Sequence, residues 1–191
     1  MEDETEEQCS EPISFEDLGV SETLRASIEA IGWERPTAIQ IKSIPIGLTG
    51  SDLVGIAQTG TGKTGAFMLA ALERIETDGG LQVLVLCPTR ELAQQVCDDT
   101  EALAKGTRIR AASIYGGVAY DPQLTALKEG FEVITATPGR FLDHLGRGRI
   151  DLKNVRTFVL DEADRMLDMG FRPQIEGVLR EVPRKRQTML F

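Results

Sequence analysis

The sequence predicts an α/β fold, a mostly parallel sheet with helices on both faces, and three observations carry the prediction. Short apolar runs recur along the chain and alternate with longer segments of helical period, with no internal repeat or low-complexity linker between them. The runs are rich in Val, Ile and Leu and lack strict polar alternation, as strands covered on both faces do. One run leads into a glycine-rich turn that opens a helical segment, at the carboxyl end of a strand, where open α/β sheets bind their ligands.

Taken in chain order, the runs that read as strands are 53–57, 82–87, 109–114, 132–135, 157–161 and 188–191. Segments near 63–76, 90–104, 120–128, 138–146 and 172–181 read as crossover helices, and right-handed connections distribute them over both sides of the sheet. Thr37-Ala38-Ile39-Gln40 has the T-x-x-Q form of a capping box and marks one more helix start. At 191 residues and 41% apolar content, the chain is long enough for one substantial core and is read as a single domain. Its first residues are polar and like-charged and cannot bury enough apolar surface to offset their ordering, so residues 1–12 are expected to form an acidic disordered tail ahead of a domain over 13–191.

Composition narrows the class further. No stretch approaches the ~20 consecutive apolar residues of a membrane span. The chain begins with acids where a secretory leader carries basic and then apolar residues, so a soluble, intracellular, monomeric protein is the expectation. Cys9, Cys87 and Cys97 have neither metal-ligand spacing nor the even count of a disulfide framework and read as free thiols. The net charge of −9 argues at first sight against a nucleic-acid partner. Six of the acids, Glu2, Asp3, Glu4, Glu6, Glu7 and Glu11, lie in the tail; the remainder holds 24 acids against 21 bases, a net −3 that neither supports nor excludes RNA.

The most specific chemistry lies in Ala57-Gln58-Thr59-Gly60-Thr61-Gly62-Lys63-Thr64, which follows a predicted strand and opens a predicted helix, the context of a P-loop. Its glycines let backbone N–H groups approach a phosphate, and the helix N-terminus adds positive potential. Gln58, Thr59, Gly60, Thr61 and Gly62 form the cradle, Lys63 reaches the outer phosphates, and the Thr64 hydroxyl suits Mg²⁺. The pattern G-x-x-x-x-G-K-[ST] is departed from at one place, Ala57 in the first glycine position. A second carboxylate-bearing strand end is Phe158-Val159-Leu160-Asp161-Glu162-Ala163-Asp164, where an apolar run stops at three acids. Asp161 at the tip is placed to hold Mg²⁺, and Glu162 beside it to orient and deprotonate an attacking water. The same acids also suit the cap of a following helix.

Asp161-Glu162-Ala163-Asp164 spells the tetrapeptide of the DEAD-box family, and the chain resembles the first of the two RecA-like domains of a DEAD-box RNA helicase over residues 13–191. Gly32-Trp33-Glu34-Arg35-Pro36-Thr37-Ala38-Ile39-Gln40 is similar to the family's Q motif, and Phe15 stands seventeen residues before Gly32, where the family has an isolated aromatic. Pro88-Thr89-Arg90-Glu91-Leu92-Ala93, Gly116-Gly117 and Thr137-Pro138-Gly139-Arg140 match its RNA-facing motifs in order. The resemblance implies a RecA-like P-loop NTPase fold. It also implies that Gln40 reads the adenine edge, for which an amide has the needed donor and acceptor, and that Phe15 stacks on the ring.

By the same resemblance, Thr89, Arg90, Gly117, Thr137, Gly139 and Arg140 grip one RNA strand by its phosphates and sugars, with little sequence preference, while ordinary capping and turn chemistry also accounts for these residue types. Aromatic residues make up only 5% of the chain, which favours backbone gripping over base stacking. Asp164 is implied to couple this domain to a Ser-Ala-Thr motif after the last strand and to a second RecA-like domain. The chain stops at Phe191, which reads as a boundary or truncation, so ATP and Mg²⁺ binding with little turnover is expected of it, and RNA unwinding of a two-domain parent. The competing readings are a non-catalytic adenine-nucleotide or RNA-binding regulatory fragment and an unrelated P-loop ATPase acting on DNA or protein. Trp33 reads as packing at a helix end, and His144 as structural.

Overall fold

Each apolar run contributes a strand to the computed structural model, which describes residues 13–76, 79–119, 123, 127 and 130–191. The strands are β1 (Leu53–Val54), β2 (Val83–Leu86), β3 (Ala111–Ile114), β4 (Val133–Ala136), β5 (Thr157–Leu160) and β6 (Gln187–Leu190). They form one sheet in the order β1-β6-β5-β2-β4-β3, with every neighbouring pair parallel. β2 is central: Val83 is in register with Val133 on one side and Thr157 on the other.

Because strand side chains alternate between faces, one strand feeds two cores. Val83 and Val85 of β2, with Cys87 just beyond it, enter a core built with α1 (Glu22–Ala30), α2 (Ala38–Leu48), α3 (Lys63–Leu72) and α4 (Arg90–Leu103). Leu84 and Leu86 enter the opposite core, closed by α5 (Pro138–Gly146), α6 (Ala163–Asp168) and α7 (Arg172–Glu181). Helices therefore cover both faces, as the run composition predicts. α3 is buried along its length from Gly65 to Leu72. Its tight fit against α2 shows at Gly47, where an added Cβ would lie 2.5 Å from the Cβ of Ala70.

The structure departs from the sequence reading in four places. The run over 53–57 supplies a strand of only two residues at the sheet edge, with Val54 65% and Ile56 92% exposed, because the chain leaves the sheet there to form the glycine-rich turn. α1 and α2 form two full helices ahead of the first strand, where the sequence showed only the capping box; Pro45 and Gly47 interrupt the helical pattern of α2, yet packing carries the helix through to Leu48. The helix expected over 63–76 ends at Leu72. A further short helix, α6, follows the acids after β5. The expected tail over 1–12 and most of the expected helix over 120–128 lie outside the described residues. No helix among the described residues is long and apolar enough to cross a membrane.

Candidate nucleotide-binding site

The carboxyl ends of β1 and β5 bring the two acid- and glycine-bearing turns to one edge of the sheet. In the first, Gly60 (φ +80°) and Gly62 (φ +89°) occupy the left-handed region that glycine reaches without strain. Thr61 Oγ1 donates to the carbonyl of Gln58 at 2.7 Å and closes the turn. Gly62 is the N-cap of α3 and has no side chain to satisfy the first-turn N–H groups, and that turn holds no acid, so the positive end of α3 is open to an anion. Lys63 and Thr64 are its first two residues.

At the end of β5, Asp161 is 3% exposed, and its backbone N–H donates to the carbonyl of Leu86 at 3.0 Å. Burial pushes its carboxyl up to about 6; the charge of Lys63 opposes the rise and that of Glu162 adds to it. Glu162 is the one non-glycine residue with positive φ among the described residues, at φ 53° and ψ 51°. That turn directs the chain from the strand into α6, and the Ala163 N–H bonds the Phe191 carbonyl at 3.0 Å. The Glu162 carboxylate accepts from Arg165 Nη1 at 2.8 Å, and Asp164 accepts from the Arg165 backbone N–H at 2.8 Å.

The start of α2 joins these turns through Gln40. Its Oε1 accepts from the Thr37 N–H at 2.9 Å, which makes the capping box real, and its Nε2 donates to the Gly62 carbonyl at 3.1 Å. One amide thus caps α2 and fastens it to the last glycine of the glycine-rich turn, retaining one lone pair and one N–H for other partners. The fit is close: a Cβ on Gly65 would lie 2.6 Å from Gln40 Nε2 and 2.6 Å from the Trp33 ring.

These elements enclose a cavity of about 420 Å³, with Thr59, Gly60, Gly62, Lys63, Thr64, Asp161, Glu162 and Gln40 in its lining. Its size is in the range of small-molecule sites. A divalent cation suits the acid end: Asp161 is a buried carboxylate whose own cationic neighbour, Lys63, does not offset its burial, and Thr64 brings a hydroxyl to the same cavity. No group of three or more His, Cys, Asp or Glu side chains converges among the described residues, so such a cation would draw its remaining ligands from phosphate oxygens and water.

Gln58 and Thr61 build the turn without lining the cavity, and Phe15 does not line it either. Phe15 packs on Trp33, ring centroids 6.4 Å apart, and borders a neighbouring cleft. Trp33, read from sequence as helix-end packing, packs against the core and also forms cavity wall, as do Arg35 and the α4 residues Leu92, Gln95 and Asp99. None of these was marked as a site residue; the one sequence signal for the α4 trio is its spacing of three and four on a single helix face.

The remaining candidates line up along the carboxyl ends of β2, β3 and β4. Thr89 caps α4, its Oγ1 accepting from the Leu92 N–H at 3.2 Å, and Arg90 is exposed and paired with Glu91 at 2.5 Å. Gly117 (φ +84°) approaches Arg90, whose Nη1 would lie 3.7 Å from an added Cβ. Arg140 Nη2 donates to the Val118 carbonyl at 3.0 Å, so the loop carrying Gly117 forms a strap with Arg140 bonded to it and Arg90 beside it. Thr137 is the N-cap of α5, and Gly139 has open space around it.

Comparison with known proteins places this geometry in context. The DEAD/DEAH box helicase family matches over residues 37–191. The chain is 48% identical over 179 residues to the DEAD-box ATP-dependent RNA helicase CshA of Bacillus cereus, covering 93% of this chain and 34% of that protein. It is 48% identical over 186 residues to the ATP-dependent RNA helicase DeaD of Haemophilus influenzae, covering 95% of this chain and 30% of that one. The crystal structure of a DEAD box protein from the hyperthermophile Methanococcus jannaschii superposes with a TM-score of 0.89 at 42% identity, over 93% of this chain and 49% of that one. The chain thus spans about a third of the length of the curated relatives it matches.

Proposed function

The chain belongs to the DEAD/DEAH box helicase family, and on that premise we propose that it is the ATP-binding part of an ATP-dependent RNA helicase. The observation that carries this reading is the meeting, in one cavity, of the open α3 N-terminus, Lys63 and the buried Asp161. The first N–H groups of α3, for which no protein acceptor stands among the described residues, and the Lys63 ammonium take the phosphates. Thr64 and Asp161 hold Mg²⁺, which when bound neutralises phosphate charge. Glu162, next to Asp161 at the end of β5, orients the attacking water and accepts its proton. Gln40 reads the adenine edge with the lone pair and N–H that its capping role leaves over, and Phe15 supports that end through Trp33.

RNA lies along the strap formed by Thr89, Arg90, Gly117, Thr137, Gly139 and Arg140, gripped by phosphates and sugars and thus with little sequence preference. In the proposed parent, a second RecA-like domain closes over the cavity and is coupled through Asp164. An arginine delivered to a phosphoryl-transfer site is worth on the order of 10³–10⁵ in rate, so this chain by itself binds ATP and ADP and turns ATP over slowly.

Titration of the 191-residue chain with ATP and ADP, with GTP as competitor, tests the reading. Mg²⁺-dependent adenine-nucleotide binding that Lys63→Ala abolishes, Gln40→Ala weakens and GTP does not displace is the expected result. Failure to bind, or equal competition by GTP, would replace it with a regulatory binding fragment.

A further inference from the structure

One wall of the cavity has no part in the function proposed above. Leu92, Gln95 and Asp99 stand on one face of α4 and line the same cavity as Lys63 and Gln40. Their neighbours Gln94 and Asp98 bond one another at 2.7 Å outside that cavity. The Gln95 and Asp99 side chains themselves have no hydrogen-bond or ion-pair partner among the described residues. Asp99 is half-buried all the same, and burial raises its carboxyl above the ordinary range, with the charge of Asp98 adding to the rise. A carboxylate drawn part-way out of water, uncompensated by any cation, is an acceptor in want of a donor.

We propose that α4 recognises the sugar of the bound nucleotide, Asp99 accepting hydrogen bonds from the ribose hydroxyls and Gln95, one turn away, adding a second contact. The assignment rests on the nucleotide reading of the cavity and follows from the chemistry of a nucleotide's three parts. Phosphates are repelled by Asp99 and belong with Lys63 and the α3 N-terminus. The base is served by the Gln40 amide and the Trp33 ring. The vicinal hydroxyls remain, and a carboxylate is the acceptor that suits them, as at other ribose sites. The same helix begins at Thr89 and Arg90 on the proposed RNA strap, so a single rigid element would touch both ligands.

Isothermal titration with unlabelled ADP, 2′-deoxy-ADP and 3′-deoxy-ADP at fixed Mg²⁺ tests this on the whole chain and on Asp99→Asn, Gln95→Ala and Asp98→Asn. Loss of a hydrogen bond to a charged group predicts that ADP binds about tenfold tighter than at least one deoxy analogue. That ratio should persist in Asp98→Asn, which removes the same charge outside the cavity, shrink in Gln95→Ala and fall to about one in Asp99→Asn. Equal binding of all three ligands by the unmutated chain, or an unchanged ratio in Asp99→Asn, overturns the sugar assignment while leaving nucleotide binding intact. If ADP itself does not bind, or binds without Lys63, the nucleotide reading falls and the sugar assignment falls with it.

Discussion

Asp161 shows how a single side chain trades stability for chemistry. Its carboxyl is raised from an ordinary 3.8 to about 6, chiefly by burial. A group whose folded value is raised contributes stability below its unfolded value and loses it as pH rises through the folded one. The folded chain is therefore penalised above about pH 6, by on the order of 2–3 kcal/mol. Asp161→Asn should consequently unfold several degrees above the unmutated chain at pH 7.5, with the difference closing by pH 4, while Mg²⁺-dependent nucleotide binding is lost. Thermal unfolding at the two pH values measures this, and a variant no more stable at pH 7.5 would show that the carboxyl is not held at a cost. Gln40 illustrates a different economy: the capping-box reading and the adenine reading of this residue are compatible, because the cap engages one acceptor and the bond to Gly62 one donor of an amide that has two of each.

Among the elements, α3 is the one on which the site depends, since its open first turn lines the cavity and its remainder is buried against α2 and the sheet. Gly47→Ala puts a Cβ 2.5 Å from that of Ala70, and because both atoms sit directly on backbone, neither can rotate away. The two helices must separate, at a cost of roughly 1–3 kcal/mol. A lowered unfolding temperature and weaker nucleotide binding are expected together, with partial recovery on adding Ala70→Gly. Recovery of neither quantity in the double variant would mean that the α2–α3 contact is not what fails. α4 likewise acts as a unit, capped by Thr89 at the strap and lining the cavity about one, two and three turns later.

At the scale of the whole molecule, the charge distribution sets what the proposed RNA binding would look like. The chain is net negative, so on that proposal the attraction comes from local cations on the strap, Arg90 and Arg140. Affinity for single-stranded RNA should then fall with salt with a shallow slope, and Arg90→Ala should weaken binding equally across RNA sequences and reduce the logarithmic slope by about 0.7. Fluorescence anisotropy over a salt series measures both, and a loss confined to one RNA sequence would point to base readout instead.

Much of this protein was determined by the sequence alone, because the signals involved are local. The six apolar runs specified a parallel sheet covered on both faces, since their lack of polar alternation reports burial on each side. The glycines of the glycine-rich turn and the acids after β5 were legible because left-handed backbone and abrupt strand ends leave marks in neighbouring residues. Tertiary structure decided what depends on distance across the chain. Packing carried α2 past Pro45 and Gly47, and the edge position of β1 exposed a run whose composition reads as buried. Trp33 became cavity wall with Phe15 behind it, and Gln95 and Asp99 came to face Lys63 from another helix. No residue on α4 encodes that proximity by itself; it arises only when β1 and β2 sit in one sheet and the helices that follow them pack side by side.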